Sequence, residues 1–333
     1  CFDPGREFID PRHDFSHDID LFGDRSVYQF LNRTCTVRGK ELLAQWLAEP
    51  TQLSSEMEYR QSAVQELSGS TEWRQEFKAY GMAGGSERPL IEDLDDWLNE
   101  RPKYLGNRTY DIIRFLMPGI TLVLFALTLA GVAHYSFFVL FVLINLFIIS
   151  LNLKTINRSH AKVSRKHGQL QNIVKLIAHF EGHDFKSGCM NDLQETMTDD
   201  EYKASGSFKK LSRIIQAFDN RLNLLMALPL NGVLLWDIHC VHRLEKWKAG
   251  AGRYVPRWLD KLGQADALCS LATFAANNPD YCYPEIISGD KYLEATSMGH
   301  PLIPSDTRVD NDFEISKKGE ISIITGANMA GKS

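Results

Sequence analysis

FLMPGITLVLFALTLAGVAHYSFFVLFVLINLFIISLNL, Phe115 to Leu153, contains no Asp, Glu, Lys or Arg and consists mostly of Leu, Ile, Val, Phe and Ala. It divides at His134-Tyr135-Ser136 into Phe115 to Ala133 and Phe137 to Leu153, each close to the ~20 residues that cross a hydrocarbon core as a helix. Two helices joined by a tight turn fit this pattern. Arg101, Lys103, Arg108 and Arg114 precede the pair, and Lys154, Arg158, Lys162, Arg165 and Lys166 follow it. Positive flanks stay in the cytoplasm, so the turn would face the opposite side. The competing reading is a buried hydrophobic hairpin inside a large soluble domain; the shorter second segment and its Asn145 and Asn152 speak for it. The length of the uncharged run favours the membrane hairpin, with lipid as the partner of residues 115–153 and a multi-pass place in the cytoplasmic membrane.

Outward from this run the coarse reading is helical. Arg38 to Leu47 carries Leu42, Leu43, Trp46 and Leu47 at helical spacing and stops before Pro50, and Met57 to Leu67 repeats the pattern with Tyr59, Ala63, Val64 and Leu67. GMAGGS, Gly81 to Ser86, breaks these first helices, and Ile91 to Leu98 begins another. Periodicity resumes over Lys162 to Phe180 and Phe208 to Leu230, and Trp258 to Ala276 forms a helix closed by Asn277-Asn278-Pro279-Asp280. Leu222 to Cys240 is apolar enough to raise a third span, but Pro229, Asn231 and Asp237 interrupt it. An intramembrane Asp is expensive, so a core helix is the favoured reading there. After Pro284, short apolar runs separated by Gly, Pro and Asp read as strands, with a boundary near Tyr283. The expected fold class is mainly α. A helical core domain occupies residues 1–110 and 154–283, a transmembrane hairpin interrupts it over 111–153, and the first strands of an α/β domain fill 284–333.

The last residues, ISIITGANMAGKS from Ile321 to Ser333, give that α/β domain its chemistry. Gly326-x-x-x-x-Gly331-Lys332-Ser333 puts glycines where backbone amides turn inward around phosphate oxygens, a lysine that reaches the terminal phosphates, and a hydroxyl for magnesium. Ile321, Ile323 and Ile324 read as the buried strand in front of such a loop. The candidate nucleotide-binding residues are Gly326, Ala327, Asn328, Met329, Ala330, Gly331, Lys332 and Ser333, with Ser333 also the Mg ligand. The helix whose N-terminus would complete the anion site would begin after Lys332. Starting at Cys1 rather than a methionine, the chain reads as a segment of a longer protein.

Composition bounds the rest. A chain of 333 residues has room for two domains. Its six cysteines are scattered without a C-x-x-C pair, which argues against a zinc site or a disulfide framework and for reduced thiols. A net charge of -5 excludes a surface coated in basic residues but leaves local basic patches open. His13 and His17 lie among Asp3, Asp10, Asp14, Asp18 and Asp20, yet Pro4 and Pro11 leave no clear helix to align them on a metal, so solvated acidic surface is favoured. His179 and His183 straddle Glu181 without a third ligand and read as surface. Lys154 to Lys166 can meet DNA phosphates or anionic lipid; beside an apolar run, lipid is favoured.

Several blocks resemble, in order, the core domain of MutS-type DNA mismatch repair ATPases. They are Asp20-Leu21-Phe22-Gly23, Leu31-Asn32-Arg33-Thr34, and Gly39-Lys40 through Trp46-Leu47 to Pro50. Arg60, Gln61, Ala63, Val64 and Leu67 are similar to that domain's next helix, and Asp266-Ala267-Leu268 with Ser270-Leu271-Ala272 to its closing helix. Gly299-His300-Pro301-Leu302-Ile303 and Asn311-Asp312 stand before TGANMAGKS as at the family's entry to its ATP site, with Asn328-Met329 the specific part of the loop. The resemblance covers most of the chain outside the hairpin. It implies a P-loop ATPase using ATP and Mg: Lys332 on the β- and γ-phosphates, Ser333 on the metal, and amides of Asn328 to Gly331 around the phosphates. The Asn328 side chain would add a contact. A homodimer meeting through the ATPase domains and double-stranded DNA as a partner are implied as well. His300-Pro301 would shape a turn near the nucleotide, and Arg308, where the family stacks an aromatic residue on adenine, would stack through its guanidinium plane. The family's Walker B carboxylate and signature loop belong downstream of Ser333, so the catalytic residues are unassigned and this piece alone is expected to be inactive.

Departures from the family matter too. Its mismatch readers insert the Phe of a Phe-x-Glu motif, and no Phe of this chain is followed two places later by Glu. The apolar hairpin falls where soluble relatives extend lever helices toward a DNA clamp, so a membrane anchor would be inserted in that arm or replace part of it. Two functional classes follow: an ATP-driven machine acting on DNA, or a membrane-tethered ATPase switch acting on a protein partner without mismatch recognition. A Phe-x-Glu domain upstream would favour the first and further apolar spans the second. An unrelated P-loop transporter is disfavoured by the block Leu31 to Thr34.

Overall fold

The computed structural model describes residues 2–83, 97–164, 167–198, 202–287, 293–317 and 319–323. In chain order the helices are α1 (Val27–Leu31), α2 (Val37–Ala48), α3 (Ser54–Gly69), α4 (Thr71–Ala83), α5 (Arg108–Leu129), α6 (Tyr135–Ser164) and α7 (His167–Glu181). There follow α8 (Gly188–Thr198), α9 (Ala204–Asp219), α10 (Leu224–Leu234), α11 (Trp236–Ala249) and α12 (Val255–Asn277). Two strands, β1 (Leu293–Met298) and β2 (Asn311–Ile315), come last. Contacts divide the chain into one unit of Cys1–Asn32, Ala44–Gln61 and Asn277–Ser333 and a second of Arg33–Leu43 and Ser62–Ala276, the division falling within α2 and α3.

In the first unit, α1 begins at Ser26, whose hydroxyl accepts the Gln29 amide proton (3.1 Å), as its residue type favours. Below it the rings of Phe8, Phe22 and Tyr28 meet pairwise at 5.7, 5.6 and 5.3 Å. Gly5 closes against this cluster at φ 66°, and a Cβ there would fall 2.5 Å from the Tyr28 ring, so both backbone and space demand glycine. Strands β1 and β2 pair antiparallel, Leu293 opposite Ile315 and Ala295 opposite Phe313, with a bulge before Met298. Ser297 sits in the bulge at φ 53°, its amide held by the Asp312 carboxylate (2.8 Å). The expected buried strand at Ile321 to Ile324 does not form over 321–323, where Ile321 and Ile323 are 83% and 82% exposed; Ile324 lies outside the described residues. A buried strand of this kind needs strands at both edges and helices on both faces. Among the described residues, this unit offers only β1 and β2, which pair with each other.

The second unit is helical because its helices carry apolar stripes of helical period. On α9 the buried positions are Ala204, Ser207, Phe208, Leu211, Ile214, Ile215 and Phe218, a continuous face that packs on α7 and α11. Helix α4 packs on α7 through Trp73, whose ring stacks on His179 (5.2 Å) and meets Phe185 edge-on (5.2 Å). His179 also donates from Nε2 to the Trp73 carbonyl (3.1 Å), and His183 lies 5.2 Å from the same ring. The two histidines therefore belong to an aromatic cluster rather than to the surface expected for them. His179 in the last turn of α7 and His183 just beyond it both meet Trp73 of α4.

Helices α5 and α6 are the expected hairpin, and both are long and apolar enough to cross a membrane. At 1.5 Å per residue the 22 residues of α5 span about 33 Å, matching a hydrocarbon core of about 30 Å. Helix α6 continues past the expected end at Leu153 to Ser164, and its 30 residues reach about 45 Å. Its last turns bury Ile156, His160 and Val163. Only 11% of the apolar stretch of α5 and 17% of that of α6 is buried. Phe115, Leu129, Val132, Tyr135, Phe147 and Leu151 are each more than half exposed, an apolar surface far larger than monomers show to water.

Helix α10 corrects the reading of Leu222 to Cys240 as one core helix. The chain bends by 81° at Leu235, which takes φ 51°, and splits the segment into α10 and α11. Helix α10 lies against α6 and α5 with Leu224, Leu225, Met226 and Leu228 exposed, whereas α11 is buried in the helical unit. Asp237, the residue that argued against a span, sits beyond the bend, paired with Arg221 (3.1 Å) and capping its amide on Asn231 (2.9 Å). Its cost inside lipid therefore does not arise in α10.

Candidate functional site

The residues expected to form a phosphate loop, Gly326, Ala327, Asn328, Met329, Ala330, Gly331, Lys332 and Ser333, lie outside the described residues. What precedes them is described. Arg308 is committed to its own unit: Nε donates to Asp310 (2.6 Å), Nη1 to the Tyr281 hydroxyl (2.5 Å), and the guanidinium lies over the Tyr281 ring. A Cβ at Gly299 would fall 2.1 Å from Arg308 Nε, so glycine is what lets the turn pass beneath this arginine. The His300 ring shapes that turn from Nδ1, which accepts the Leu302 amide (3.3 Å). Arg308 thus already has an aromatic partner in Tyr281. At the N-terminus, His13 accepts the Ser16 amide from Nδ1 (3.2 Å) and meets the Phe15 ring at 4.9 Å, a local turn.

In the helical unit the structure joins blocks that the sequence separates by more than two hundred residues. Asp266, fully enclosed on α12, accepts the amides of Cys35 (3.0 Å) and Thr36 (2.8 Å) and the Thr36 hydroxyl (2.7 Å). Thr36 in turn accepts the Gly39 amide (2.9 Å), capping α2. One helical turn on, Ser270 accepts the Arg33 amide (2.7 Å), and Arg38 is paired with Asp260 (2.8 Å). A Cβ at Gly39 would lie 2.3 Å from Asp266 Oδ2 and one at Gly263 2.6 Å from Arg38, so α2 and α12 touch at glycines. Burial pushes the Asp266 pKa up to about 6, against the pull of the Thr36 and Cys35 donors. The latch is built of hydrogen bonds, and the Cys35 thiol also donates to the Asp266 carboxylate (3.4 Å). Its signal in the sequence is a lone Asp on an otherwise apolar helix face, Leu262, Ala265, Leu268 and Cys269.

A second polar device fixes the entry to the hairpin. Glu245 on α11 accepts three consecutive amides, Lys103 (2.8 Å), Tyr104 (2.8 Å) and Leu105 (2.7 Å), just before Asn107 caps α5. Asn152 accepts from the Tyr110 and Tyr104 hydroxyls (2.8 and 3.3 Å), and Asn145 donates to the Thr121 hydroxyl (3.0 Å) and to the Gly232 carbonyl (2.8 Å). Of the two asparagines that seemed to spoil the span, Asn145 therefore faces the seam of α5, α6 and α10 and Asn152 the start of α5. Neither Glu245 nor the seam was legible beforehand, because each is made by residues distant in the chain.

The model of MutS domain III matches residues 13–222, a stretch that includes the whole α5–α6 hairpin. The DNA mismatch repair protein MutS of Fusobacterium nucleatum is 40% identical over 78 residues, 22% of this chain and 8% of that protein. The protein of the same name from Acetivibrio thermocellus is 39% identical over 82 residues, 22% of this chain and 9% of that protein. The probable DNA mismatch repair protein Msh6 of Drosophila melanogaster is 32% identical over 79 residues, 22% of this chain and 7% of that protein. The matched segments thus span less than a tenth of these relatives. No solved structure matches the chain. With the domain III model covering most of its length, the chain belongs to the MutS family.

Proposed function

We propose that this chain is part of a MutS-family, mismatch-repair-related ATPase held at the cytoplasmic membrane by α5 and α6. The single observation that carries the reading is an uncovered apolar helix pair lying inside the stretch that matches MutS domain III. In this reading residues 1–110 and 154–283 make the helical core, 111–153 the anchor, and 284–333 the entry to a P-loop ATPase domain in the cytoplasm. ATP and Mg would bind at Gly326 to Ser333, with Lys332 neutralising the terminal phosphates and Ser333 holding the metal. Two ATPase domains would meet in a homodimer, and double-stranded DNA is the substrate that the names of the relatives support.

The test is ATP turnover by the full-length protein in nanodiscs, wild type beside Lys332→Ala, without DNA, with homoduplex and with mismatched duplex. Turnover is expected to fall by at least two orders of magnitude in Lys332→Ala, since the lost contact stabilises transferring phosphate charge, and to respond to DNA in the wild type. Lys332-dependent turnover indifferent to DNA would replace the repair reading with a tethered switch working on a protein partner.

A further inference from the structure

Two cavities flank the base of the hairpin, and their charge differs. One, of about 310 Å³, is lined by Arg101, Lys103, Lys154, Arg158 and Lys248 together with Glu100 and Glu245. Three of its cations have partners: Arg158 pairs with Glu100 (2.8 Å), Lys248 donates to the Glu100 and Trp97 carbonyls (2.6 and 3.0 Å), and Lys103 donates to the Thr155 hydroxyl (2.8 Å). The other, of about 730 Å³, is lined by Arg114, Lys210, Arg213, Arg243 and Lys246 and by no carboxylate. Lys210 and Arg213 stand one turn apart on α9, Arg243 and Lys246 one turn apart on the facing α11, so two packed helices aim four cations into one space. Among the described residues none of these four has an ion-pair partner. Arg114 spends one nitrogen on Asp111 (3.0 Å), but its buried Nε has no hydrogen-bond partner.

The lip of this cavity is the first turn of the apolar run. Phe115 lines it, His239 on α11 donates to the Arg114 carbonyl (2.8 Å) and touches the Phe115 ring edge-on, and Phe115 and Leu116 are 64% and 53% exposed. A concentrated positive cavity opening directly onto an uncovered apolar helix matches a molecule with an anionic head and acyl tails. We infer that this cavity is a binding site for the phosphate headgroup of an anionic phospholipid, whose chains run along α5. Guanidinium forks of Arg213 and Arg243 grip phosphate oxygens bidentately, Lys210 and Lys246 add point charge, and Arg114 closes the site at the membrane side. Nucleic-acid phosphates would find the same cations, but exposed Phe115 and Leu116 offer a duplex nothing. The inference rests on the membrane reading of α5 and α6.

The experiment reconstitutes the full-length protein in nanodiscs of phosphatidylcholine with a minor share of phosphatidylglycerol, re-extracts it in neutral detergent and measures the lipid that stays bound. Wild type is expected to retain phosphatidylglycerol enriched over its supplied share. In Arg213→Gln/Arg243→Gln/Lys246→Gln, three exposed positions that bear no core packing, enrichment falls at least fivefold, the factor that about 1 kcal/mol from even one surface cation corresponds to. Lys154→Gln/Arg158→Gln at the other cavity, where Glu100 and Glu245 offset part of the positive charge, leaves enrichment unchanged. Equal loss in both variants, or retention without headgroup preference, overturns the site while leaving the anchor intact. Displacement of the lipid by glycerol 3-phosphate alone assigns the site to a soluble phosphate, and displacement by a DNA duplex assigns it to nucleic acid; either overturns the inference. Failure to enter even pure phosphatidylcholine nanodiscs overturns the membrane reading and the site with it.

Discussion

Asp266 is the residue on which the helical unit turns, since it ties the start of α2 to α12 through three donors while wholly enclosed. Burial holds its pKa at about 6, above the ordinary value of 3.8 that it regains on unfolding. The folded chain therefore keeps a proton that the unfolded chain releases between those values. Stability from this group is fully present below about pH 4 and declines as pH rises through about 6, by about 3 kcal/mol in all. Asp266→Asn should remove this slope, and by turning an amide NH₂ toward the Cys35 or Thr36 amides it should cost about 1–3 kcal/mol. Thermal unfolding in detergent from pH 4 to 7 would show the wild type's advantage shrinking with pH; a constant difference would contradict the assignment. The blocks Leu31 to Thr34 and Asp266 to Ala272 were legible as family resemblance. Their hydrogen bonding to each other was not, because nothing in a spacing of more than two hundred residues says which donor meets which carboxylate.

Elements built from one strong period match their sequence: the apolar faces of α2 and α12 and most of that of α3 are buried or half-buried, Tyr59 excepted, and the two long apolar helices lie where the uncharged run predicts them. The failures come where partners decide. Helix α6 outruns its uncharged stretch because its polar end finds a helical unit to pack on, and α10 escapes the core because Leu235 turns the chain and the hairpin offers an apolar flank. The seam of α5, α6 and α10 relies on Gly232, where a Cβ would fall 2.8 Å from Val142. Gly232→Leu should force α10 off α6 at a cost of about 1–3 kcal/mol, seen as new protease cleavage within Leu224 to Leu234 in nanodiscs. Asn145→Ala should cost less, about 0.6–1.7 kcal/mol, as interhelical hydrogen bonds in membranes do. Unchanged cleavage in Gly232→Leu would show that α10 is held elsewhere.

At the scale of the whole molecule, the chain combines a MutS domain III with a hydrophobic hairpin inside the same matched stretch. The mainly helical character was legible because apolar positions recur at helical spacing along most of the chain, and family because the blocks keep their order. The strand expected over Ile321 to Ile324 does not form over residues 321–323, because a buried strand depends on neighbours that, among the described residues, β1 and β2 do not provide. The central claim is that α5 and α6 cross the membrane and return, leaving both flanks in the cytoplasm. On that claim Cys282, exposed in the first unit, would mark the cytoplasmic side. The decisive measurement labels sealed right-side-out membrane vesicles holding the full-length protein with a membrane-impermeant thiol reagent, comparing Ser136→Cys in the hairpin turn with Cys282. The account predicts rapid labelling of Ser136→Cys and labelling of Cys282 only after the vesicles are opened. Equal labelling of both before opening, or recovery of the protein in the soluble fraction, would contradict it.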